Sequence, residues 1–241
     1  MTIEALDLTT ADLTASRRTL LLVWQDPSSG RFIKVGQIDA LPGSRLAFHY
    51  LESAWDAPNF VPLVEYPERH VVYISNEVPA FFANRILSAD RPGYDHYLEW
   101  LGIAGLDKAD IPFEVLARTG GSRATDTFHV VDAPTRDESR LTSRFFVSGI
   151  RHTDDADAVL ASLHSGDQLT LVLEDSNPKN TRAVLIDTAD GRKVGYVPDW
   201  FCSDLHDRIK DGWRVTAVAE RVNPDAPAHV RVLCRVDAQR V

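Results

Sequence analysis

Apolar and polar residues alternate most clearly between residues 166 and 197. Leu169, Leu171 and Leu173 alternate with Gln168, Thr170, Val172 and Glu174, the period-two pattern of a strand with one buried face, which predicts a strand over 168–174. Asp175-Ser176-Asn177-Pro178 breaks it, because Asp and Asn bond back to their own backbone and Pro donates nothing to a ladder. Ala183-Val184-Leu185-Ile186 resumes the apolar run and Ala189-Asp190-Gly191 turns it. Lys193-Val194-Gly195-Tyr196-Val197 then returns antiparallel, with Asp-Gly as the hairpin signal.

Upstream, residues 1–18 show no sustained period and read as a tail. Strands are expected over 19–24, 31–38 and 45–50, forming one meander around the turn Gln25-Asp26-Pro27-Ser28-Ser29-Gly30. Pro58, Pro62, Pro67 and Pro79 exclude a long helix between Trp55 and Pro79, leaving a short strand over 70–74. Helices follow over 79–87, at Tyr94, Tyr97, Leu98 and Leu101 with Gly102 as the stop, and from Asp110 through Pro112 to Gly120-Gly121. Gly120-Gly121-Ser122 reads as a helix stop and turn, since a phosphate loop would need a preceding strand and a following Lys-Ser/Thr.

Residues 132–142 have little apolar content and read as a linker, with the domain boundary near 140. A strand starts at Arg144-Phe145-Phe146-Val147. Asp154 or Asp155 caps a helix carrying Ala156, Val159, Leu160 and Leu163 on one face. After the three central strands, Asp199 caps a helix with Phe201, Leu205 and Ile209 on one face, ended by Asp211-Gly212. Alternation at Trp213, Val215, Ala217 and Ala219, and at Val230, Val232, Cys234 and Val236, gives two last strands around the turn at 223–227. The fold class is therefore α+β in two domains: an N-terminal mixed meander with short helices, and a small OB-like or SH3-like β-barrel with two inserted helices.

Composition narrows the function. The 241 residues are 44% hydrophobic and 25% charged, as in an ordinary folded protein. No run of about 18 apolar residues occurs, and Met-Thr-Ile-Glu-Ala-Leu-Asp has neither the basic cap nor the apolar core of a leader, so a cytoplasmic protein without membrane contact is expected. In that compartment Cys202 and Cys234, which lack metal-ligand spacing, read as buried small hydrophobes. The net charge of -9 is uneven: residues 1–139 hold 12 basic and 20 acidic side chains, residues 140–241 hold 14 and 15. An acidic first half opposes phosphate binding, so any nucleic-acid contact belongs to the second half.

Several landmarks in order resemble the HIRAN domain: Phe146-Val147-Ser148-Gly149-Ile150-Arg151-His152, the strand ending in Glu174, the Asn177-Pro178 corner, the Ala183-Val184 strand, Gly195-Tyr196-Val197-Pro198, and Trp200-Phe201. The resemblance covers about residues 143–241. Such domains occur alone in bacteria and at the N-terminus of some DNA-remodelling ATPases. The resemblance implies binding of single-stranded DNA, including a DNA 3′ end, which requires stacking surfaces, phosphate donors and an acceptor for the terminal hydroxyl. It places the DNA-binding residues at Arg151, His152, Asn177, Lys179, Asn180, Arg182, Tyr196 and Trp200. Three departures stand out: His152 replaces an aromatic stacker, Lys179 offers a charge instead of a ring, and Asn180 lacks a carboxylate. Asp199 adds negative charge where DNA would run. Each residue also has a plainer reading: Arg151 pairing with Asp154 or Asp155, Tyr196 and Trp200 packing between strand and helix, and Lys179 and Arg182 as solvated charge.

A second resemblance spans about residues 20–131, within a first domain read as 19–131. Lys34-Val35-Gly36-Gln37-Ile38, Leu46-Ala47-Phe48-His49-Tyr50, Phe82-Ala83-Asn84-Arg85 and the run from Pro112 to Gly121 are similar, in that order, to the N-terminal subdomain of HipA-type kinases. The catalytic motifs of that family are not found: His-Arg-Asp, Asp-Phe-Gly and a Gly-rich nucleotide loop are missing from the sequence. The eight histidines form neither His-x-His nor His-x-x-x-His, and no local catalytic signature occurs. The expectation is a non-catalytic nucleic-acid-binding protein needing no cofactor or metal. Its HipA-like half would dock a protein partner such as a kinase, helicase or nuclease. The alternative is an antitoxin-like or regulatory interaction module for a HipA-type kinase.

Overall fold

Alternating strands dominate both halves of the chain. The computed structural model describes residues 4–5, 18–41, 45–121 and 126–241, in two compact units, Met1–Ala133 and Pro134–Val241.

The first unit holds β1 (Glu4–Ala5), β2 (Arg18–Gln25), β3 (Phe32–Leu41), β4 (Arg45–Tyr50), β5 (Tyr73–Ser75) and β6 (Phe128–Asp132), in the antiparallel order β1-β5-β4-β3-β2-β6. The expected meander is β2–β3–β4. Within the expected tail, Glu4 and Ala5 pair with Ile74 and Tyr73, and Arg18 opens β2; the remainder of the tail lies outside the described residues. Among the described residues, α1 (Ser53–Asp56), α2 (Ala80–Ala83), α3 (Tyr94–Leu101) and α4 (Ile111–Thr119) accompany the sheet. The sequence reading omits α1, a single turn that ends before Pro58, and β6, which pairs with β2 from Leu20↔Asp132 to Trp24↔Phe128. Gly102 and Gly120 end α3 and α4 at φ 71° and 73°, where a side chain would be strained.

One sheet face packs Leu20, Leu22, Trp24, Ile38, Phe48 and Tyr50 against Tyr66, Tyr73, Phe82 and Leu116. The proline-rich segment cannot pair as a strand and is fixed instead by one hydroxyl. Tyr50 Oη donates to the Tyr66 carbonyl at 2.9 Å and accepts from the Leu63 N–H at 2.8 Å, and burial pushes this phenol up to about 12. Arg85, its side chain 1% exposed, reaches Asp126 Oδ2 at 2.6 Å and the Gly121 carbonyl at 2.9 Å, with its guanidinium 4.2 Å from the Phe81 ring centre. The Gly120-Gly121 turn is thus a packed helix stop; Ser122 lies outside the described residues.

The second unit contains β7 (Thr135–Arg136), β8 (Arg140–Phe146), β9 (Gln168–Glu174), β10 (Ala183–Thr188), β11 (Lys193–Tyr196), β12 (Arg214–Val222) and β13 (Val232–Gln239). It also contains α5 (Ala156–Ser162), α6 (Asp199–Lys210) and 3-10 turns at Ile150–His152 and Ala228–Val230. The stretch read as a linker holds β7 and the start of β8. Asp137 Oδ1 accepts the N–H groups of Ser139 and Arg140 to make a hairpin turn, and Leu141 anchors the strand at 1% exposure. Polar residues there face outward from a sheet edge, which is why the stretch lacks apolar content. Asp155 and Asp199 do not cap their helices through side-chain bonds as expected: the N-cap positions are Asp155, at φ 54°, and Pro198, with Asp199 as the first helical residue.

The strand order is β11-β10-β9-β12-β13-β8-β7, and α5 and α6 bury Val159, Leu160, Phe201 and Leu205 in its core. The expected small, partly open barrel appears as a seven-stranded antiparallel sheet that does not close. Instead, the chain leaving β8 meets β11 at one antiparallel bridge, where Ser148 and Tyr196 exchange N–H···O bonds of 2.9 and 2.8 Å. This single bridge joins the chain after β8 to β11 at one point and forms no ladder. Gly195 permits even this: a Cβ there would lie 2.5 Å from the Ser148 carbonyl oxygen and 2.6 Å from Val147 Cγ1.

Two outcomes follow from these contacts. Gly195→Ala pushes against backbone that cannot yield, so it should cost about 2 kcal/mol in chemical denaturation and remove slow hydrogen exchange at the Ser148 and Tyr196 amides. In the first unit, burial holds His49 and His129 below the ordinary value of 6.5, with Asp39 partly opposing at His49 and the Arg85 charge adding to the effect at His129. The unfolded chain takes up these protons first, so stability should fall as pH drops below about 6.5 and level off below the depressed folded values; His49→Gln with His129→Gln should flatten that slope in calorimetric scans from pH 8 to 5.

Candidate nucleic-acid interface

The corner after β9 is built by the side chains that break the strand. Asn177 Oδ1 accepts the N–H groups of Lys179 at 3.0 Å and Asn180 at 3.3 Å, and its amide donates to Glu174 Oε2 at 2.7 Å. Asn177 therefore shapes the loop, and Lys179 is left pointing to solvent. Among the described residues, the Lys179 ammonium has no acidic partner.

Asn180 faces the helix. Its amide donates to Asp199 Oδ1 at 2.6 Å and to Cys202 Sγ at 2.9 Å, while its Oδ1 accepts the Arg182 N–H at 2.9 Å. Cys202 and Cys234 are buried thiols, and Cys202 acts here as a polar acceptor as well as a small apolar group. Farther along α6, His206 Nε2 lies 2.8 Å from Asp175 Oδ1 and Lys210 Nζ lies 2.9 Å from Asp175 Oδ2. These hydrogen bonds, His206 first, hold the Asp175 carboxyl below its usual range. Arg182 pairs with Asp207 at 2.9 Å, an exposed contact of small energy. The corner is thus fastened to α6 at Asp175, Asn180 and Arg182.

β11 forms the next wall. Tyr196 Oη donates to Glu174 Oε2 at 3.1 Å and accepts from Lys193 Nζ at 2.9 Å. The Lys193 ammonium lies 4.4 Å from the Tyr196 ring centre, where its charge meets the ring's negative face. Neighbouring Asp187, opposite Lys193 in the register, is pushed up by burial, with Lys193 opposing and Glu174 adding to the shift. The Ser148–Tyr196 bridge brings the turn of Ile150–His152 to this wall, and Tyr196 Cδ2 would lie 3.4 Å from a Cβ on Gly149. In that turn Arg151 Nε donates to His152 Nε2 at 3.0 Å, which requires that ring nitrogen to be unprotonated. Arg151 and His152 are both exposed; among the described residues Arg151 does not pair with Asp154 or Asp155.

Trp200, in the first turn of α6, packs on the core with its ring 5.4 Å from Phe201. It supports the site more than it lines it. The corner at Asn177, Lys179 and Asn180, the wall at Tyr196, and the turn at Arg151 and His152 are therefore connected through Glu174, Asp199 and Ser148. Arg182 is turned to α6. Sequence reading misses Glu174, Lys193 and Cys202, because their roles depend on the register that sets β11 beside β10 and on the seating of α6. Glu174 alone gave a signal, as an outward position closing an alternating strand.

Among the described residues, no group of three or more His, Cys, Asp or Glu could hold a metal ion, and no helix is long and apolar enough to cross a membrane. Comparison with curated proteins gives no match. Two solved structures are similar: a protein from Lactobacillus plantarum, 20% identical, covering 42% of this chain and 90% of that one with a TM-score of 0.35, and the HIRAN domain of human HLTF, 12% identical, covering 43% and 81% with a TM-score of 0.34. The family model of the HIRAN domain matches residues 141–240, a span that takes in the corner, the wall and the turn, and this segment carries a HIRAN domain.

Proposed function

We propose that the protein is a non-catalytic DNA-binding protein whose HIRAN segment holds single-stranded DNA across the corner, β11 and the Ile150–His152 turn. A HIRAN domain implies DNA binding, and the match at 141–240 supports that much directly. The finer reading rests on Lys179: the Asn177 turn fixes its backbone and leaves its ammonium exposed and without an acidic partner among the described residues, as a phosphate contact requires. Arg151 supplies a second cation across the site, and His152 and Tyr196 offer rings for stacking. The local character of these charges suits a chain whose net charge is -9, since a broad basic face is not needed to hold a few nucleotides.

The docking role expected for the N-terminal unit, with a kinase, helicase or nuclease as partner, rests on the order of its sequence pieces alone. The test addresses the HIRAN segment. Fluorescence anisotropy of the full chain with labelled single-stranded oligonucleotides, titrated over a range of salt, should show binding whose affinity falls as salt rises. Lys179→Ala and Arg151→Ala should each weaken it and reduce the slope of log K against log salt by about 0.7, the value for one phosphate on a single strand. Unchanged affinity and slope in both variants would remove these residues from the site.

A further inference from the structure

We propose that the proline-rich loop between α1 and β5 is a docking surface for a basic, apolar segment of another protein, in which Arg or Lys is interleaved with aliphatic side chains. This inference goes beyond the DNA-binding reading and does not depend on it; it gives a surface and a partner chemistry to the docking role expected of the first unit. The observation behind it is a pair of valines. Val61 is 73% exposed and Val64 92% exposed, in a loop whose neighbouring residues Leu63 and Tyr66 are buried. Slack backbone is not the cause. The Leu63 N–H donates to Tyr50 Oη at 2.8 Å, the Leu63 carbonyl accepts the Tyr66 N–H at 2.9 Å, and the Glu68 N–H donates to Tyr73 Oη at 2.7 Å. Apolar side chains displayed on a pinned loop lose little freedom when a partner covers them.

Charge selects the partner. Glu52, Asp56, Glu65 and Glu68 flank the valines in the chain, are exposed, and have no cationic partner among the described residues. Glu52 and Asp56 belong to α1 and its N-cap, whose Trp55 ring lies 5.2 Å from the ring of Tyr50, the residue that pins Leu63; both acidic pairs therefore surround one anchor. The single arginine of this stretch shows how a cation is received. The Arg69 guanidinium lies 4.3 Å from the Trp55 ring centre, and among the described residues it forms no ion pair. Four carboxylates around an apolar pair repel nucleic acid and an anionic membrane surface, and two copies meeting through this face would set acid against acid. A segment with interleaved cations and aliphatic groups meets both features at once: its aliphatic groups cover Val61 and Val64 while its cations face the carboxylates.

The test uses the full chain and three fluorescein-labelled twelve-residue peptides, read by anisotropy: one alternating Arg and Leu, one alternating Arg and Ser, and one alternating Glu and Leu. The Arg-Leu peptide should bind, the Arg-Ser peptide at least about tenfold more weakly, and the Glu-Leu peptide not at all. Val61→Ser combined with Val64→Ser, both at exposed positions, should weaken binding of the Arg-Leu peptide by about tenfold. Glu65→Gln combined with Glu68→Gln should weaken it by about threefold and reduce its salt dependence. Binding of single-stranded oligothymidylate should be unchanged in both double variants, which separates this surface from the HIRAN segment. A wild type that does not bind the Arg-Leu peptide, or whose binding either double variant leaves unchanged, would overturn this proposal and leave the DNA-binding reading standing. So would a wild-type dimer in sedimentation velocity that the valine variant abolishes, since the face would then belong to a second copy of the chain.

Discussion

The C-terminal unit depends on a contact with no side chain on one of its partners. Where the chain leaves β8 it passes so close to β11 that a methyl group on Gly195 would sit 2.5 Å from the Ser148 carbonyl. The two backbones exchange a pair of hydrogen bonds there, between Ser148 and Tyr196. This contact carries the Arg151–His152 turn to the Tyr196 wall. It ties the chain leaving β8 to β11 and so holds one side of the candidate site in place.

A second set of contacts works by the same economy. The corner after β9 contains Asp175, Asn177, Asn180 and Arg182, and every one of them is engaged in holding the loop or in fastening it to α6. Because these polar groups satisfy one another, the corner is shaped before any ligand arrives, and little ordering cost would remain for binding. Lys179 differs: it is exposed and has no acidic partner among the described residues, and such a cation on an ordered backbone is better suited to an anion than one that must first leave an acidic partner.

In the first unit the organising device differs. An aromatic cluster around Phe48, Tyr50, Tyr66, Tyr73 and Phe82 fills one sheet face, and the irregular proline-rich segment is pinned to it through the Tyr50 hydroxyl. Arg85 closes the far end by gathering Asp126 and the Gly121 carbonyl over the Phe81 ring. Burying a guanidinium is costly, and its two terminal nitrogens are met by Asp126 and the Gly121 carbonyl, so this cluster fixes the turn after α4 as a matter of structure.

The sequence by itself determined the strands with one buried face and the helices with an apolar stripe. The strand over 168–174, the hairpin at Asp190-Gly191 and the helix over 94–101 were legible because period two and period 3.6 are imposed by local geometry. Where burial followed other rules the reading failed: β7 and early β8 looked like a linker because an edge strand can be polar on its exposed positions, and the single bridge between the chain after β8 and β11 was not legible because alternation reveals a buried face and says nothing of how strands meet. The site divided in the same way. Its loop residues could be named from their order along the chain, but whether a polar side chain faces a ligand or its own protein is settled by tertiary neighbours. Asn180 is spent on Asp199, Cys202 and the Arg182 N–H, Arg182 on Asp207, and Trp200 on the core, while Lys179 remains exposed; those assignments come from the packing of α6 and β11 against the corner, contacts between residues too far apart in the chain for any local pattern to record.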